Sequence, residues 1–158
     1  WKKERFELLD HGFFWFAEDI NAIGQRAWDA ASPRMGSWAI LKDKISKRKL
    51  FFMNVHIDHI GQVARRESAK LILDRLGALA GDLPVIVTGD FNAEPDSEPI
   101  RILLDPANPE HLTHTRSVAP VRYGPEWSYH NYGCLAEKLD DLYISDHCPV
   151  MAGLRFTK

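Results

Sequence analysis

The sequence lacks most of the features that identify secreted, membrane-spanning or strongly charged proteins. Its two cysteines, Cys134 and Cys148, show no metal-ligand spacing, and although one disulfide is possible, nothing in the pattern requires it. No apolar run approaches the ~18 residues of a membrane-spanning helix, and no basic-then-apolar segment resembles a signal peptide. The formal net charge is −2, so the chain as a whole does not attract nucleic acid.

The composition is that of an ordinary folded domain. Hydrophobic residues make up 45% and charged residues 27% of the chain, which is enough apolar material for one core and too much for a disordered chain. We therefore predict a single domain over residues 1–158. The basic runs at 42–49 and 65–66 are interpreted as solvated faces. Because the chain begins at Trp1 without a Met, we expect an N-terminally incomplete domain, and its compartment, secretion included, stays open.

The spacing of apolar residues predicts an α/β domain. Apolar positions recur at helical spacing over 62–80, and a short apolar run at 84–88 predicts a strand that is buried on both faces. A second helix is expected from a cap at Asp96 or Ser97 to Leu104. A strand, helix and strand in the middle of the chain indicate a mixed α/β sandwich, with the long helix as the crossover. Further strands are predicted at 12–16, 37–42, 50–57, 139–144 and 149–156, with loops at 21–37 and 105–126 and a charged turn at 42–49.

Polar side chains collect where the two strands that flank the long helix end. Asn54 and His56 are expected to lie on one face of the first strand, because side chains alternate along a strand. Asp90 and Asn92 are likewise expected to share a face at the end of the second strand. Gly89 lets the backbone approach a neighbour closely. Since both strands flank the same helix, we expect these polar residues to meet at one edge of the sheet.

A third polar segment, Ser145-Asp146-His147-Cys148-Pro149-Val150, places an acid and an imidazole at the start of a strand. Buried carboxylates and imidazoles are costly unless they are paired or bind a metal, so three such segments predict one polar pocket. Carboxylate and amide oxygens suit Mg²⁺ or Mn²⁺. Imidazoles can transfer protons and donate to a charged phosphorus centre. The residues therefore favour hydrolysis of phosphate esters.

Four segments, in this order along the chain, resemble motifs of the endonuclease/exonuclease/phosphatase family. Gly89-Asp90-Phe91-Asn92 is identical to its Gly-Asp-Phe-Asn motif, and residues 145–150 are similar to its Ser-Asp-His-x-Pro-Val ending. Residues 54–59 and 139–144 resemble its Asn-Thr-His-Leu segment and its Ile-Asp-Tyr-Ile-Phe strand. The resemblance implies a four-layer α/β sandwich of the DNase I-like type and a metal-dependent hydrolase, a nuclease or phosphatase. Within the family, the chain is most similar to an uncharacterised bacterial branch.

The resemblance also implies roles for individual residues. His147 would be the general base that takes a proton from the attacking water, and Asp140 would orient His147. Asp146 would be a ligand of Mg²⁺ or Mn²⁺. Asp90 would be a further metal ligand, and together with Asn92 it would hold the nucleophile and a phosphate oxygen.

Two more residues are implied to contact the substrate phosphate. His56 would donate to the phosphoryl oxygens as charge builds, and Arg34 would clamp the phosphate, unless it is an ordinary surface arginine. The substrate is a phosphate ester of nucleic acid, of a sugar or of a lipid headgroup, and the sequence does not choose among them. Residues 105–135 are expected to form a loop that faces it. No stable protein partner is implied.

The sequence departs from the family pattern in two places. The Asn that ends the family's first strand and the Glu metal ligand that follows it are both absent, because the chain starts too late. Asp140 and His147 are seven residues apart, or about 23 Å in an extended strand, which is too far for a hydrogen-bonded pair. In the family a long excursion separates the two. We therefore predict a gap in the chain between Ile144 and Ser145, where intervening residues of the protein are missing from this sequence.

Two alternatives belong to other functional classes. His56-x-Asp58-His59 resembles part of the His-x-His-x-Asp-His motif of metallo-β-lactamases and would predict a zinc hydrolase, although Asn54 stands where that motif needs a better zinc ligand. The other alternative is a degenerate, non-catalytic domain that binds without turnover. In that case aromatic residues such as Trp127 would form the recognition surface.

Overall fold

The structure, a computed structural model, describes residues 1–122, 138–139, 142–143, 147 and 152–154. It divides the chain into two units, Trp1–Leu112 and Thr113–Lys158. None of the helices in the described residues is long and apolar enough to cross a membrane. The first unit contains, in chain order, β1 (Phe6–Trp15), β2 (Met35–Asp43), β3 (Lys49–His56), α1 (Gln62–Leu79), β4 (Val85–Asp90) and α2 (Glu98–Leu104).

The four strands of the first unit form one mixed sheet in the order β1-β2-β3-β4. The first two pairs are antiparallel, whereas β3 and β4 are parallel. A parallel pair needs a crossover connection, and α1 supplies it. The predicted α/β class and the helix predicted over 62–80 are therefore confirmed. β1 is longer than the strand predicted at 12–16, because its pairing with β2 extends back to Phe6.

The hydrophobic core lies between one face of this sheet and α1. Alternate residues of β3 point into it because side chains alternate along a strand, and α1 contributes the residues that recur at helical spacing. Each large apolar side chain that is fully buried stabilises the fold by roughly 1.5–3 kcal/mol. The largest fully buried apolar side chains are Phe14, Phe51, Met53, Val55, Ile57, Ile72, Leu73 and Leu76.

The prediction that the strand at 84–88 is buried on both faces is wrong. Val85 and Val87 pack against the core and are half-buried, whereas Thr88 is exposed. β4 is the last strand of the described sheet, and none of its residues is fully buried. A continuous apolar run is therefore compatible with a strand that is only partly covered.

The long loop between β1 and β2 is fastened to the start of α1 by Asp29. Its carboxylate accepts hydrogen bonds from the backbone N–H groups of Ala64 at 2.7 Å and Val63 at 3.2 Å. α1 has no side-chain cap of its own, since its N-cap residue is Gly61. The hydrogen bond from Ala64 is the main cause that lowers the pKa of Asp29. Asp29 thus caps a helix from a distant part of the sequence.

The turn between β2 and β3 is organised by Asp43, which is only 2% exposed. Its carboxylate accepts hydrogen bonds from Arg5 Nε at 2.6 Å, from the Ile45 N–H at 3.0 Å and from the Ser46 hydroxyl at 2.8 Å. The Arg5 guanidinium lowers the pKa of Asp43 most strongly. The charged turn predicted at 42–49 is therefore correct, and an ion pair between the buried Asp43 and the half-exposed Arg5 holds it.

The second unit contains α3 (Thr115–Val118) and an antiparallel pair of short strands, β5 (Lys138–Leu139) and β6 (Leu142–Tyr143). The prediction of one strand at 139–144 is wrong, because Leu139 lies opposite Leu142 in that pair. Residues 152–154 have no regular secondary structure, so the strand predicted at 149–156 does not extend through them. The predicted gap between residues 144 and 145 lies outside the described residues.

The Arg5–Asp43 ion pair makes stability depend on pH. The pKa of Asp43 in the folded state is below its ordinary value of 3.8. The pair therefore stabilises the fold fully at neutral pH, and that contribution is lost as the pH falls below about 4. We expect Asp43→Asn to lower the melting temperature by several degrees at neutral pH, with an effect that shrinks steadily in acid. Thermal unfolding over a pH series measures this, with the exposed Asp82→Asn as control. An equal loss at every pH would contradict the electrostatic explanation.

Candidate functional site

The candidate site lies at the sheet edge where β3 and β4 end. The two strands are parallel and in register, so their last residues, His56 and Asp90, lie opposite each other. His56 Nε2 is 3.6 Å from an Asp90 carboxylate oxygen. The side chains are 53% and 30% exposed, respectively, so solutes can reach both. The structure thus brings together two of the residues that the sequence predicted to meet.

Asn92 reaches the same edge by a different route from the one predicted. β4 ends at Asp90, so the alternation that predicted a shared face does not extend to Asn92. Instead the backbone of Asn92 is left-handed, with φ 43°, and its N–H donates to Asp90 Oδ1 at 2.9 Å. The Asn92 side-chain amide donates to the Ile57 carbonyl at 3.0 Å, and the Ile57 N–H donates to the Asp90 carbonyl at 3.0 Å. These bonds lock the segments after β3 and β4 together.

Gly89 permits the close approach of β4 to β3 just before the site. Its φ is +141°, a conformation that L side chains rarely adopt. A Cβ atom at this position would lie 1.9 Å from the Val55 carbonyl oxygen, which belongs to the backbone of β3. The expected role of Gly89 is confirmed, and Asp90 takes its position from it.

Asp58 is buried beside the site, only 1% exposed, and its carboxylate is fully engaged by the backbone. One oxygen accepts the N–H groups of Ala31 and Ser32, at 3.1 and 3.3 Å, and the other accepts those of Ile60 and Gly61, at 3.0 and 2.7 Å. Burial opposes ionisation, but the four donors outweigh it and hold the pKa of Asp58 well below its usual range.

The geometry of Asp58 argues against the zinc-hydrolase alternative. Both of its oxygens are occupied by backbone donors, so it cannot serve as the Asp ligand of a His-x-Asp-His site without breaking these bonds. Its role is to fasten the loop before β2 to the turn after β3. The sequence predicted a structural or supporting role for Asp58 in general, but not this link between two distant segments. The signal available was an acid three residues before the glycine that precedes a helix, which is typical of a turn that accepts backbone N–H groups.

Arg34 lies at the same edge, because it precedes β2 and β2 runs antiparallel to β3. Its side chain is 17% exposed. One guanidinium nitrogen hydrogen bonds to His59 Nδ1 at 2.9 Å, and its Nε is 3.6 Å from Asp58 Oδ1. The structure thus places Arg34 in a network with residues 58 and 59, and its role as a phosphate clamp stays a prediction.

The polar edge extends onto the exposed face of the sheet through Thr88, which the sequence analysis did not single out. The Thr88 hydroxyl donates to the Asn54 side-chain oxygen at 3.1 Å. Thr88 lies opposite Asn54 in the register, two residues before Asp90 on the same face. This contact could be predicted only by knowing that β3 and β4 pair and in which register.

The remaining predicted site residues belong to the second unit. His147 is half-buried and forms an isolated β-bridge. Asp140 and Asp146 lie outside the described residues, so the proposed base pair and metal ligand stay predictions. Among the residues that the structure describes, no group of three or more His, Cys, Asp or Glu could hold a metal ion.

Comparison with known proteins places this geometry in context. Residues 9–147 match the family described as the Endonuclease/Exonuclease/phosphatase family. A family protein from Bacteroides vulgatus is 34% identical with a TM-score of 0.74, covering 82% of this chain and 49% of that chain. A mannosyl-6-phosphatase from Bacteroides thetaiotaomicron is 35% identical with a TM-score of 0.62, covering 65% of this chain and 39% of that chain.

A conserved protein of unknown function from Enterococcus faecalis is 26% identical with a TM-score of 0.73, covering 84% of this chain and 50% of that chain. This chain therefore spans half the length, or less, of the solved structures it is similar to. No curated protein matches the sequence.

The close approach at Gly89 can be tested by adding one methyl group. We expect Gly89→Ala to destabilise the fold by more than about 2 kcal/mol, because it adds a backbone clash to an unfavourable φ. Gly81→Ala is the matched control, since Gly81 also has a positive φ but no atom within 4 Å of its Cβ position. Denaturant unfolding measures both. Equal losses of unfolding free energy in the two variants would show that the close approach of Gly89 to β3 adds nothing to the cost.

Asp58 can be tested through the loop that it fastens. We expect Asp58→Asn to cost about 3 kcal/mol, because a neutral amide presents one acceptor and one donor to four backbone donors. The loop before β2 should also become more sensitive to trypsin at Arg26 in limited proteolysis. The control is Asp74→Asn, an exposed acid on α1. Unchanged stability and cleavage would refute the anchoring role.

Proposed function

The chain belongs to the endonuclease/exonuclease/phosphatase family, and from this we propose that the protein hydrolyses phosphate esters with the help of Mg²⁺ or Mn²⁺. The observation that carries the proposal is the accessible His56–Asp90 pair, with a side-chain separation of 3.6 Å, at the ends of two parallel strands. Ligands of α/β sheets are commonly bound at the carboxyl ends of the strands. The family's proteins act on phosphate esters, and these residues have the chemistry for that reaction.

In this proposal the described residues would supply only part of a metal site. Asp90 offers a carboxylate oxygen, which is a ligand type that Mg²⁺ and Mn²⁺ prefer. Since the described residues contain no group of three such ligands, they do not fit a complete site by themselves. By resemblance Asp146 would contribute another ligand. The metal, when bound, would supply charge stabilisation for the phosphoryl oxygens.

The edge residues have distinct roles in the proposed reaction. His56 donates an N–H to the phosphoryl oxygens as negative charge builds on them. Asp90 accepts a hydrogen bond from the attacking water and holds it near the phosphorus. Asn92, whose amide is oriented by the Ile57 carbonyl, completes the contact to a phosphate oxygen. Attack in line with the leaving oxygen then depends mainly on positioning.

Two further roles in the proposal rest on the family resemblance. His147 takes the proton of the water as general base, and Asp140 orients its imidazole. This assignment requires the gap predicted between residues 144 and 145. In one continuous strand Asp140 and His147 would be too far apart to form a hydrogen bond.

A sugar phosphate is the substrate class that we propose to test first. The mannosyl-6-phosphatase from Bacteroides thetaiotaomicron is 35% identical over 65% of this chain. Nucleic acid and lipid headgroups are the other classes that the family resemblance leaves open. Loops rather than the catalytic residues set the substrate in a shared fold. The segment at 105–135, which was predicted to be a loop and contains the short helix α3, is the proposed source of selectivity.

The experiment is a hydrolysis assay of the full-length protein on sugar phosphates, phosphodiesters and lipid headgroup analogues, with Mg²⁺, with Mn²⁺ and with chelator. We expect metal-dependent turnover that falls by roughly 10²- to 10⁴-fold in His56→Ala and in Asp90→Asn. His11→Ala and Asp82→Asn, which change exposed residues away from the edge, are the matched controls. Metal binding without turnover on any substrate would favour the non-catalytic alternative.

A further inference from the structure

His59 forms a hydrogen bond with Arg34, and His59 has no role in the reaction described so far. A terminal guanidinium nitrogen of Arg34 is 2.9 Å from His59 Nδ1. A guanidinium has only donors, so Nδ1 must be the acceptor. The His59 ring is therefore neutral in this arrangement and carries its hydrogen on Nε2, at the opposite side of the ring.

The partner that fixes this ring is itself held in place. The Arg34 Nε is 3.6 Å from Asp58 Oδ1, and Asp58 is immobilised by four backbone N–H groups. Among the described residues, Arg34 makes one side-chain hydrogen bond, the one to His59, and its buried Nε–H has no hydrogen-bond partner. Because the Nε–H is buried on the side of Asp58, the donors that remain for a ligand are those of the terminal nitrogens, whose position is set by Asp58.

The pair lies at the edge that carries the candidate site. Arg34 precedes β2, whose start lies beside the end of β3, and His59 follows His56 by three residues. Asp58 points into the protein, whereas His59 is exposed. An exposed imidazole with a fixed ring and a known donor atom is suited to recognise an oxygen acceptor.

We propose that His59 is a further substrate-binding residue, whose Nε2–H donates to an oxygen of the substrate's phosphate group. The proposal rests on the proposed function, because it takes the phosphate ester as its ligand. A phosphate has several acceptor oxygens, so one of them can accept from His59 while others are held by the residues already assigned to it. A neutral imidazole adds a donor next to Arg34 without adding like-charge repulsion. The binding energy serves to hold the phosphate in place for attack.

Three substitutions separate substrate binding from mere positioning of Arg34. His59→Asn places its side-chain oxygen where Nδ1 was, so it keeps the acceptor for Arg34 and loses the Nε2 donor. His59→Gln reaches further and restores a donor near the Nε2 position. His59→Ala loses both. If His59 only positions Arg34, the His59→Asn variant should behave as the wild type. If its Nε2–H binds the substrate, the His59→Gln variant should behave as the wild type instead.

The kinetic test compares KM and kcat of the full-length protein and these variants on the substrate that the wild type hydrolyses. We expect His59→Ala and His59→Asn to raise KM about tenfold or more, as for a lost hydrogen bond to a charged group, with kcat changed less than about twofold. His59→Gln should recover most of the loss. Wild-type behaviour of His59→Asn, or of all three variants, would overturn the proposal.

A second measurement does not need turnover and therefore separates this proposal from the proposed function. Histidine ring nitrogens of the full-length protein are followed by NMR during titration with inorganic phosphate. We expect the His59 ring to show its hydrogen on Nε2, and that nitrogen to shift as phosphate binds, with a weaker response in Arg34→Gln. A hydrogen on Nδ1, or no response to bound phosphate, would overturn the proposal even if the enzyme proves active.

Discussion

The functional end of the first unit depends on one buried charge, the Asp58 carboxylate. Removing an ionised carboxylate from water is costly unless hydrogen bonds replace the water. Four backbone N–H groups do so, and they come from two segments that are distant in sequence, the loop before β2 and the turn after β3. Arg34 adds a positive charge on the same side. One side chain thereby fixes the geometry of both connections at the functional edge.

Asp29 reinforces the same arrangement from the other side of the loop. By accepting the free N–H groups at the start of α1, it couples a long segment without helices or strands to the longest helix. Both acids join the loop between β1 and β2 to the segment that runs from the end of β3 into α1. They show how a loop can be held rigid by backbone hydrogen bonds to carboxylates when it contributes few residues to the core.

The site itself arises from strand pairing. Parallel β3 and β4 bring their carboxyl ends together, and Gly89 allows the approach that puts Asp90 opposite His56. Beyond the strands, Asn92 and Ile57 continue the contact through backbone and side-chain hydrogen bonds. The rigid part of the proposed active site is therefore built on strand ends, and substrate selectivity is left to loops, as is common in folds that host many activities.

The sequence by itself determined the α/β class, the crossover helix and the family, because apolar spacing and the Gly-Asp-Phe-Asn motif are local patterns. It also predicted that His56 and Asp90 lie together, since polar residues at the ends of neighbouring apolar strands stand out. The tertiary structure alone decided what depends on distant segments: the cap that Asp29 provides for α1, the four donors to Asp58, the His59–Arg34 bond and the half-exposed β4. Each of these features depends on residues that are far apart in sequence, so a local sequence pattern cannot predict it. The antiparallel pairing of Leu139 with Leu142 was missed for a related reason, because apolar alternation does not distinguish one strand from two short strands that pair.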